Sequence, residues 1–259
     1  MIPRMPGVFQ DHLLAGRHAF VTGGSSGICL AIAERFAAAG AAVSILGRNQ
    51  EKLGRALAQL NGERHRAFPA DVRDYPALAA ALAAARAASG EIDILVCGAA
   101  GNFPAPALGM SANGFKAVID IDVLGTFNTC RAAYEHLRKP GASILNISAA
   151  QAFRPIASQS HVCAAKAGVD MLTRTLALEW GGAGVRVNSV TPGPIDGTEG
   201  MRRLAPDEAT RASFLRHIPL QRFGAASEIA ELCLFLCTPA AAYIHGAILV
   251  CDGGASLAW

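Results

Sequence analysis

Short apolar runs alternate with longer alanine-rich segments along this 259-residue chain, and this alternation restricts the fold more than any other feature. The runs have the length and composition of strands, and the segments between them are long enough for helices. Strands are predicted at 18–23, 42–47, 66–71, 93–99, 142–148, 185–191 and 247–251. Helices are predicted at 26–39, 50–60, 75–88, 111–137, 158–180 and 226–237. Helical crossovers between successive strands produce a parallel sheet covered on both faces, so we expect an α/β, doubly wound, Rossmann-type fold.

We expect one domain spanning 1–259. Hydrophobic residues make up 52% of the chain, which is enough for a large core. A segment at about 199–216, between Pro194 and Pro219, is predicted to form a small helical lid. The net charge of +3 is too small for a nucleic-acid-binding surface, so no nucleic-acid partner is expected.

Hydropathy and the two termini bear on location. No apolar run reaches the ~18 residues of a membrane span. The amino terminus lacks the apolar stretch of a signal peptide, and the carboxyl-terminal S-L-A-W is not a peroxisomal address. We therefore expect a cytoplasmic protein. The 7 cysteines form no C-x-x-C motif and no two histidines have ligand spacing, so no metal is predicted.

The sequence V-T-G-G-S-S-G-I-C at 21–29 joins the first predicted strand to the first helix. Glycines in such a turn let the backbone approach a pyrophosphate, which then lies at the helix amino terminus. The predicted dinucleotide contacts in this loop are Gly23, Gly24, Ser25, Ser26, Gly27 and Ile28.

The second predicted strand ends in G-R-N at 47–49. An acidic residue at this point would bind the ribose hydroxyls of NAD, whereas Arg48 offers a planar fork to a 2′-phosphate. Together with Asn49, this residue predicts NADP(H) as the cofactor.

The loop and its spacing resemble the short-chain dehydrogenases/reductases. A-D-V at 70–72, C-G-A-A-G at 97–101 and P-G-P-I-D-G-T at 192–198 match further motifs of that family. The resemblance implies cofactor contacts from Asp71, Val72, Gly98, Ala99, Ala100, Lys166, Pro192, Gly193, Pro194, Ile195 and Thr198. The chain departs from the family at Cys29, where the last loop glycine is expected, and at Cys97 and Gly98, which replace two polar residues.

Most members of this family reduce carbonyl groups with an Asn–Ser–Tyr–Lys set. Here Lys166 occupies the lysine position, but Val162 replaces the tyrosine, Ala149 the serine and Asp122 the asparagine. A valine donates no proton to an alkoxide. Either the site is inactive, or the proton comes from another donor; we favour the second, because Asp122 and Lys166 would form a buried ion pair able to orient a water.

A-A-G-N-F at 99–103, I-D-I-D at 119–122 and the H-x-x-x-A-K frame at 161–166 narrow the resemblance to peroxisomal-type 2,4-dienoyl-CoA reductases. This resemblance implies NADPH-dependent reduction of a 2,4-dienoyl-CoA to a 3-enoyl-CoA, with Asp122 and Lys166 as the catalytic residues. It also implies acyl-chain and coenzyme A contacts from Arg73, Phe103, Ser111, Asn113 and Arg203.

Several alternatives stay open. The substrate could be a 2-enoyl-CoA, or the chain could be a catalytically silent NADP(H)-binding protein. His161 is either a second proton donor or a structural residue. The family resemblance further implies a homotetramer associating through 111–137, 158–180 and the last strand.

Overall fold

A computed structural model describes residues 12–60 and 62–258. The segment 1–11, for which no signal peptide is predicted, and the last residue of the carboxyl-terminal tetrapeptide lie outside the described residues. The strands are β1 His18–Thr22, β2 Ala42–Gly47, β3 Arg66–Pro69, β4 Ile94–Cys97, β5 Ser143–Ile147, β6 Arg186–Pro192 and β7 Ile248–Cys251. The helices are α1 Gly27–Ala38, α2 Gln50–Gln59, α3 Tyr75–Ser89, α4 Ala112–Ile119, α5 Gly125–Ala133, α6 Ser160–Trp180, α7 Glu199–Leu204, α8 Glu208–Arg216 and α9 Ala226–Leu236.

The seven strands form a single parallel sheet in the order β3-β2-β1-β4-β5-β6-β7. Successive strands are added toward one edge of the sheet from β1 to β3 and toward the other edge from β4 to β7. The order of addition therefore reverses between β1 and β4, where Thr22 pairs with Cys97. In sheets of this kind ligands bind in the crevice outside the carboxyl ends of the strands at such a reversal. The predicted doubly wound α/β fold is confirmed.

Apolar side chains pack on both faces of the sheet, which explains why most strands are continuous hydrophobic runs. One core lies between the sheet and α1, α2 and α9, and includes Ile32, Phe36 and Ile229. The other lies beneath α3, α5 and α6 and includes Leu82 and Leu176. The sheet is therefore held rigidly, and the loops at its carboxyl edge are anchored at both ends.

Helix boundaries follow local chemistry. Asn49 accepts a hydrogen bond from the Lys52 amide at the start of α2, and Asp74 does the same for Ala77 at the start of α3. Gly40 ends the first helical segment with a φ of +93°, a conformation that L side chains rarely adopt. Asn49 and Asp74 lie in strand-to-helix turns at the carboxyl edge of the sheet, whereas Gly40 lies in a helix-to-strand turn at the opposite edge.

The predicted helix at 111–137 differs from a regular helix. It consists of α4, a π-helical turn at Asp120–Leu124, α5 and a final 3₁₀ turn. The wider turn carries one residue more than an α-helical turn, so the side chains within it point in different directions from those of a regular helix. Asp122 lies in this turn and is buried.

The predicted lid segment contains two short helices, α7 and α8. Thr198 caps the first of them through the Met201 amide, and Asp207 caps the second through Thr210. Among residues 12–60 and 62–258, no helix has both the length and the apolar character needed to cross a membrane.

Candidate active site

A cavity of about 810 Å³ opens at the carboxyl edge of the sheet. The loops after β1, β2, β3, β4, β5 and β6 all contribute to its wall, together with the first turns of α1 and α6. Its position at the point of strand reversal is where an α/β sheet of this order binds a ligand.

The structure gathers the predicted cofactor contacts around this cavity. Lining residues are Gly23, Ser25, Ser26, Gly27, Ile28, Arg48, Asn49, Asp71, Val72, Gly98, Ala99, Ala100, Lys166, Pro192, Gly193, Pro194, Ile195 and Thr198. Gly24 does not line it. Its amide donates to the Leu46 carbonyl, and a side chain there would meet Ile45 at 2.8 Å, so Gly24 faces β2.

The loop before α1 fits a dinucleotide pyrophosphate. A Cβ on Gly23 would lie 2.8 Å from the Gly98 carbonyl oxygen, so only glycine allows the loops after β1 and β4 to meet. Within the described chain the Ser26 side chain makes no capping hydrogen bond to α1, and the first turn of this helix contains no acidic residue. Its amides are therefore available to an anion, which the helix dipole also favours.

At the far end of the cavity, Arg48 and Asn49 lie beside Asp71 and Lys52. Arg73 makes two hydrogen bonds to the Asp71 carboxylate, at 3.0 and 2.6 Å, and these bonds hold the pKa of Asp71 below its ordinary value. Lys52 is a lining residue that the sequence analysis missed. Its place in the first turn of the helix that follows G-R-N was the available signal.

Asp122 and Lys166 form a buried ion pair in the cavity wall. Lys166 Nζ lies 3.0 Å from Asp122 Oδ2, and the two side chains are 9% and 0% exposed. Buried charges of this kind persist because they are paired and hydrogen-bonded. The π-helical turn presents the carboxylate, and the first half of α6 presents the amine.

Backbone groups fix both partners of the pair. The Gly101 amide donates to Asp122 Oδ1 at 2.8 Å, and Lys166 Nζ donates to the Ile147 carbonyl at 3.0 Å. Val162 and Ala149, at the positions where the family has tyrosine and serine, also line the cavity. The wall near the ion pair thus carries two apolar side chains where the family has a phenol and a hydroxyl, and a carboxylate where the family has an amide.

The five predicted substrate contacts lie outside the wall of this cavity. Phe103 packs on the His161 ring with a centroid distance of 4.6 Å, and Ser111 caps α4 through the Gly114 amide. Asn113 is exposed within α4, and Arg73 is bound to Asp71 as described above. Arg203 donates to the Asn102 carbonyl at 3.0 Å and is ion-paired with Glu199.

Two further polar side chains were not found from the sequence. Asn102 lines the cavity, and its buried Oδ1 has no hydrogen-bond partner among the described residues. Asp170, one turn after Lys166, is buried and accepts a hydrogen bond from Ser189 at 3.1 Å. Burial raises the pKa of Asp170, while the hydrogen bond from Ser189 and the charges of Arg174 and Lys166 oppose that shift.

His161 is fully buried beside Val162. Neither ring nitrogen has a hydrogen-bond partner among the residues that the structure describes. In the described ranges 12–60 and 62–258, no group of three or more histidine, cysteine, aspartate or glutamate side chains is arranged to hold a metal ion.

The fold, the glycine-rich loop and the buried lysine define an oxidoreductase of one class: the chain belongs to the short-chain dehydrogenase/reductase family. A sequence profile of the family described as enoyl-(acyl carrier protein) reductases matches residues 23–256. A short-chain dehydrogenase structure from Bacillus anthracis superimposes with a TM-score of 0.84 at 36% identity, covering 93% of this chain and 96% of that one. A gluconate 5-dehydrogenase structure from Burkholderia cenocepacia, in complex with NADP and tartrate, has a TM-score of 0.88 at 29% identity and covers 96% and 99% of the two chains.

Within this class the chain is similar to 2,4-dienoyl-CoA reductases. The zebrafish peroxisomal 2,4-dienoyl-CoA reductase, named as (3E)-enoyl-CoA-producing, is 45% identical over 254 residues, covering 96% of this chain and 85% of the relative. A probable 2,4-dienoyl-CoA reductase of Bacillus subtilis, named as (2E)-enoyl-CoA-producing, is 41% identical over 239 residues, covering 90% and 94%. The resemblance predicted from the motifs is confirmed.

The expected cytoplasmic location is wrong by the same comparison. The zebrafish relative and the similar enzymes of Pongo abelii and Saccharomyces cerevisiae are all named as peroxisomal. The expectation rested on hydropathy and on the two termini, which carry little information about location beside a likeness that extends over nearly the whole chain.

Proposed function

We propose that this protein reduces a 2,4-dienoyl-CoA to a 3-enoyl-CoA with NADPH, and that Asp122 and Lys166 direct the proton. The observation that carries the proposal is the 3.0 Å ion pair in the cavity wall, beside an apolar residue where carbonyl reductases have a phenol. When bound, NADPH supplies the hydride, which is added at the δ-carbon of the diene. A proton at the α-carbon completes the reduction and leaves one double bond between the β- and γ-carbons.

Asp122 and Lys166 are suited to orient the water that delivers this proton. Asp122 Oδ1 is occupied by the Gly101 amide, whereas Oδ2 faces the ammonium group and retains acceptor capacity for a water. The ammonium group beside that water favours release of its proton, and Lys166 is kept in place by the Ile147 carbonyl. Val162 lines the cavity with an apolar side chain, so no polar side chain at that position competes for such a water.

Negative charge that develops on the thioester oxygen needs hydrogen-bond donors. Asn102 supports this part of the proposal, because it lines the cavity and its side-chain amide carries N–H donors. Its backbone carbonyl is bound to Arg203 of α7, which links the loop after β4 to the lid segment.

Two basic residues support NADP(H) over NAD(H). Arg48 follows β2 where an acidic residue would bind a ribose hydroxyl, and Lys52 lines the same part of the cavity. Both charges lie near the amino terminus of α2, which adds its own preference for an anion.

The substrate contacts, the assembly and the role of His161 extend this proposal. Arg73 and Arg203 are proposed to meet the phosphates of coenzyme A, and Phe103, Ser111 and Asn113 to border the acyl entrance when the lid at about 199–216 closes. The large exposed apolar side chains of α5 and α6, including Phe127, Met171 and Leu178, support a homotetramer. His161 is proposed as a structural residue, since Phe103 covers its ring.

The proposal is tested with 2,4-hexadienoyl-CoA, following NADPH absorbance, in Asp122→Asn, Lys166→Ala and the control Val162→Ala. Asp122→Asn removes the charge and keeps the shape, so kcat is expected to fall by about 10²–10⁴-fold while NADPH still binds. Lys166→Ala is expected to lose both turnover and part of the cofactor affinity. Val162→Ala is expected to stay within about threefold of the parent, because only apolar wall is removed.

Full turnover in Asp122→Asn would contradict the assigned role of the carboxylate. NADPH binding without turnover of any enoyl-CoA in the parent protein would instead indicate a silent cofactor-binding protein.

A further inference from the structure

Cys29 and Gly98, two of the positions at which this chain departs from its family, face each other beneath the cavity. Cys29 lies in the first turn of α1, and Gly98 directly follows β4. Cys29 Sγ lies 2.1 Å from the point that a Cβ on residue 98 would occupy. Two atoms cannot share that space, so the thiol and a side chain at 98 exclude each other.

The remaining surroundings of Gly98 would accept a side chain. The added Cβ would lie 3.3 Å from Ile147 Cγ1 and 3.4 Å from the Thr22 carbonyl oxygen, and both are close but tolerable contacts. The Gly98 amide is held by Thr22 Oγ1 at 3.1 Å. Cys29 alone therefore dictates glycine at 98.

Cys29 acts here as a small apolar filler and not as a nucleophile. It is 5% exposed and lines the cavity floor. Burial raises the pKa of its thiol to about 12, against a smaller opposing effect of the Lys166 charge, so the thiol is neutral near pH 7. The neighbouring Cys97 side chain packs on the opposite face of the sheet, against Cys130.

We propose that Cys29 is a positioning residue for the cofactor loops, supplying from α1 the packing atoms that a side chain at 98 would otherwise supply from β4. Each residue then depends on the other. The Cys29 thiol requires glycine at 98, and a side chain at 98 is accommodated only when residue 29 is smaller than cysteine. The Gly98 backbone is also the contact surface of Gly23, whose added Cβ would meet the Gly98 oxygen at 2.8 Å. Displacement of residue 98 therefore moves the pyrophosphate loop as well.

The test is a double-mutant cycle of Cys29→Ala, Gly98→Ala and the double variant. NADPH dissociation constants are measured by fluorescence titration, and thermal midpoints are measured without cofactor. Gly98→Ala forces the loop away from α1, so NADPH affinity is expected to fall about tenfold or more. Cys29→Ala removes packing atoms beside Gly98, so NADPH affinity is expected to fall by about three- to fivefold. In the double variant the Cβ of residue 98 refills that space, so binding is expected to be at least as tight as in Cys29→Ala.

Gly23→Ala, alone and combined with Cys29→Ala, is the matched control. Its clash is with backbone atoms of residue 98, so shortening Cys29 is not expected to restore its binding. If Gly98→Ala does not fold, recovery of a folded, NADPH-binding double variant supports the pairing.

The proposal is overturned if Gly98→Ala binds NADPH like the parent, or if the double variant is no better than Gly98→Ala in both binding and folding. Changes in thermal midpoint without any change in NADPH affinity would also overturn it, because they would show a purely structural contact. The inference rests on the proposed cofactor site for its binding measurement. If the parent protein does not bind NADPH, the proposed cofactor site is wrong, and the cycle in thermal midpoints still shows whether residues 29 and 98 are energetically coupled.

Discussion

At the scale of single residues, the site combines one group that the family shares with three replacements. Lys166 keeps its place on α6, while Asp122 brings a second charge within 3.0 Å of it. A lone carboxylate in this wall would pay a desolvation penalty of several kcal/mol, which the ammonium group and the Gly101 amide offset. The replacement of asparagine by aspartate is thus stable only beside the lysine.

Asp170 gives a prediction on stability against pH. Burial raises its pKa in the folded state above the ordinary value of 3.8, so the folded protein binds its proton more tightly than the unfolded chain does. The charged carboxylate therefore destabilises the fold at high pH, and this effect disappears as the pH falls through the raised pKa toward 3.8. Asp170→Asn keeps an acceptor for Ser189 and is expected to have a higher thermal midpoint than the parent at pH 8.

The difference between Asp170→Asn and the parent is expected to stay constant while the carboxyl is ionised in the folded state, and to narrow as the pH falls through the raised pKa toward 3.8. A less stable Asp170→Asn at pH 8 would show that the carboxylate contributes favourably through Lys166 or Arg174.

Arg48 and Lys52 give a prediction on cofactor choice. Hydrogen bonds to charged groups contribute about 1.5–3 kcal/mol, so Arg48→Ala is expected to weaken NADPH binding by about 10–100-fold and Lys52→Ala by less. NADH lacks the 2′-phosphate, and its binding is expected to change by less than about threefold. Comparable losses for both cofactors, measured by the same titration, would indicate that the basic residues do not contact that phosphate.

At the scale of secondary-structure elements, local patterns predict what depends on local physics. Apolar runs predicted every strand to within a few residues. The signal was clearest for the inner strands such as β1, β4 and β5, because strands buried on both faces are hydrophobic throughout. The π-helical turn at Asp120–Leu124 was not predicted, since I-D-I-D-V-L is equally compatible with a regular helix. Tertiary packing decides that turn, and it decides how Asp122 faces the cavity.

The parts of the site that the sequence did not predict depend on long-range packing. The Asp122–Lys166 pair was predicted from the motifs, because each residue has a counterpart in the family. Cys29 and Gly98 lie far apart in the chain, and only the volume between them reveals that they are coupled. Lys52 resembles a solvated helix residue until the turn after β2 is placed beside the cavity.

The lid segment gives a prediction at this scale. Arg203 Nη1 donates to the Asn102 carbonyl at 3.0 Å, whereas Arg202 Nη1 donates to Gly197 within its own segment. Arg203→Ala is expected to accelerate proteolytic cleavage within 199–216 and to raise the KM for the acyl-CoA about two- to tenfold, with Arg202→Ala as the control. A raised KM without faster cleavage would mean that Arg203 binds coenzyme A but does not hold the lid segment. Equal behaviour of the two variants would contradict both roles of Arg203.

At the scale of the whole molecule, the apolar surface on α6 remains to be covered. Leu178 is 87% exposed, and Met171 lies two turns before it on the same helix. In the proposed homotetramer this face is an interface, so Leu178→Asp would bury a charge there. The substitution is expected to lower the molar mass measured by light scattering below that of the parent protein, to that of a dimer or monomer.

Leu108→Asp is the control for this experiment. Leu108 is also fully exposed, but it lies in the loop after β4 and not on α6. A monomeric parent protein, or dissociation by both substitutions alike, would contradict association through the α6 face.

The whole account depends on where the enzyme places a solvent proton. The most direct measurement is NMR of the product formed from 2,4-hexadienoyl-CoA and NADPH in D₂O. The account predicts a 3-enoyl-CoA carrying one solvent deuterium at the α-carbon. A solvent deuterium at the γ-carbon of a 2-enoyl-CoA, as the name of the Bacillus subtilis relative would suggest, or no reduced product at all, would contradict it.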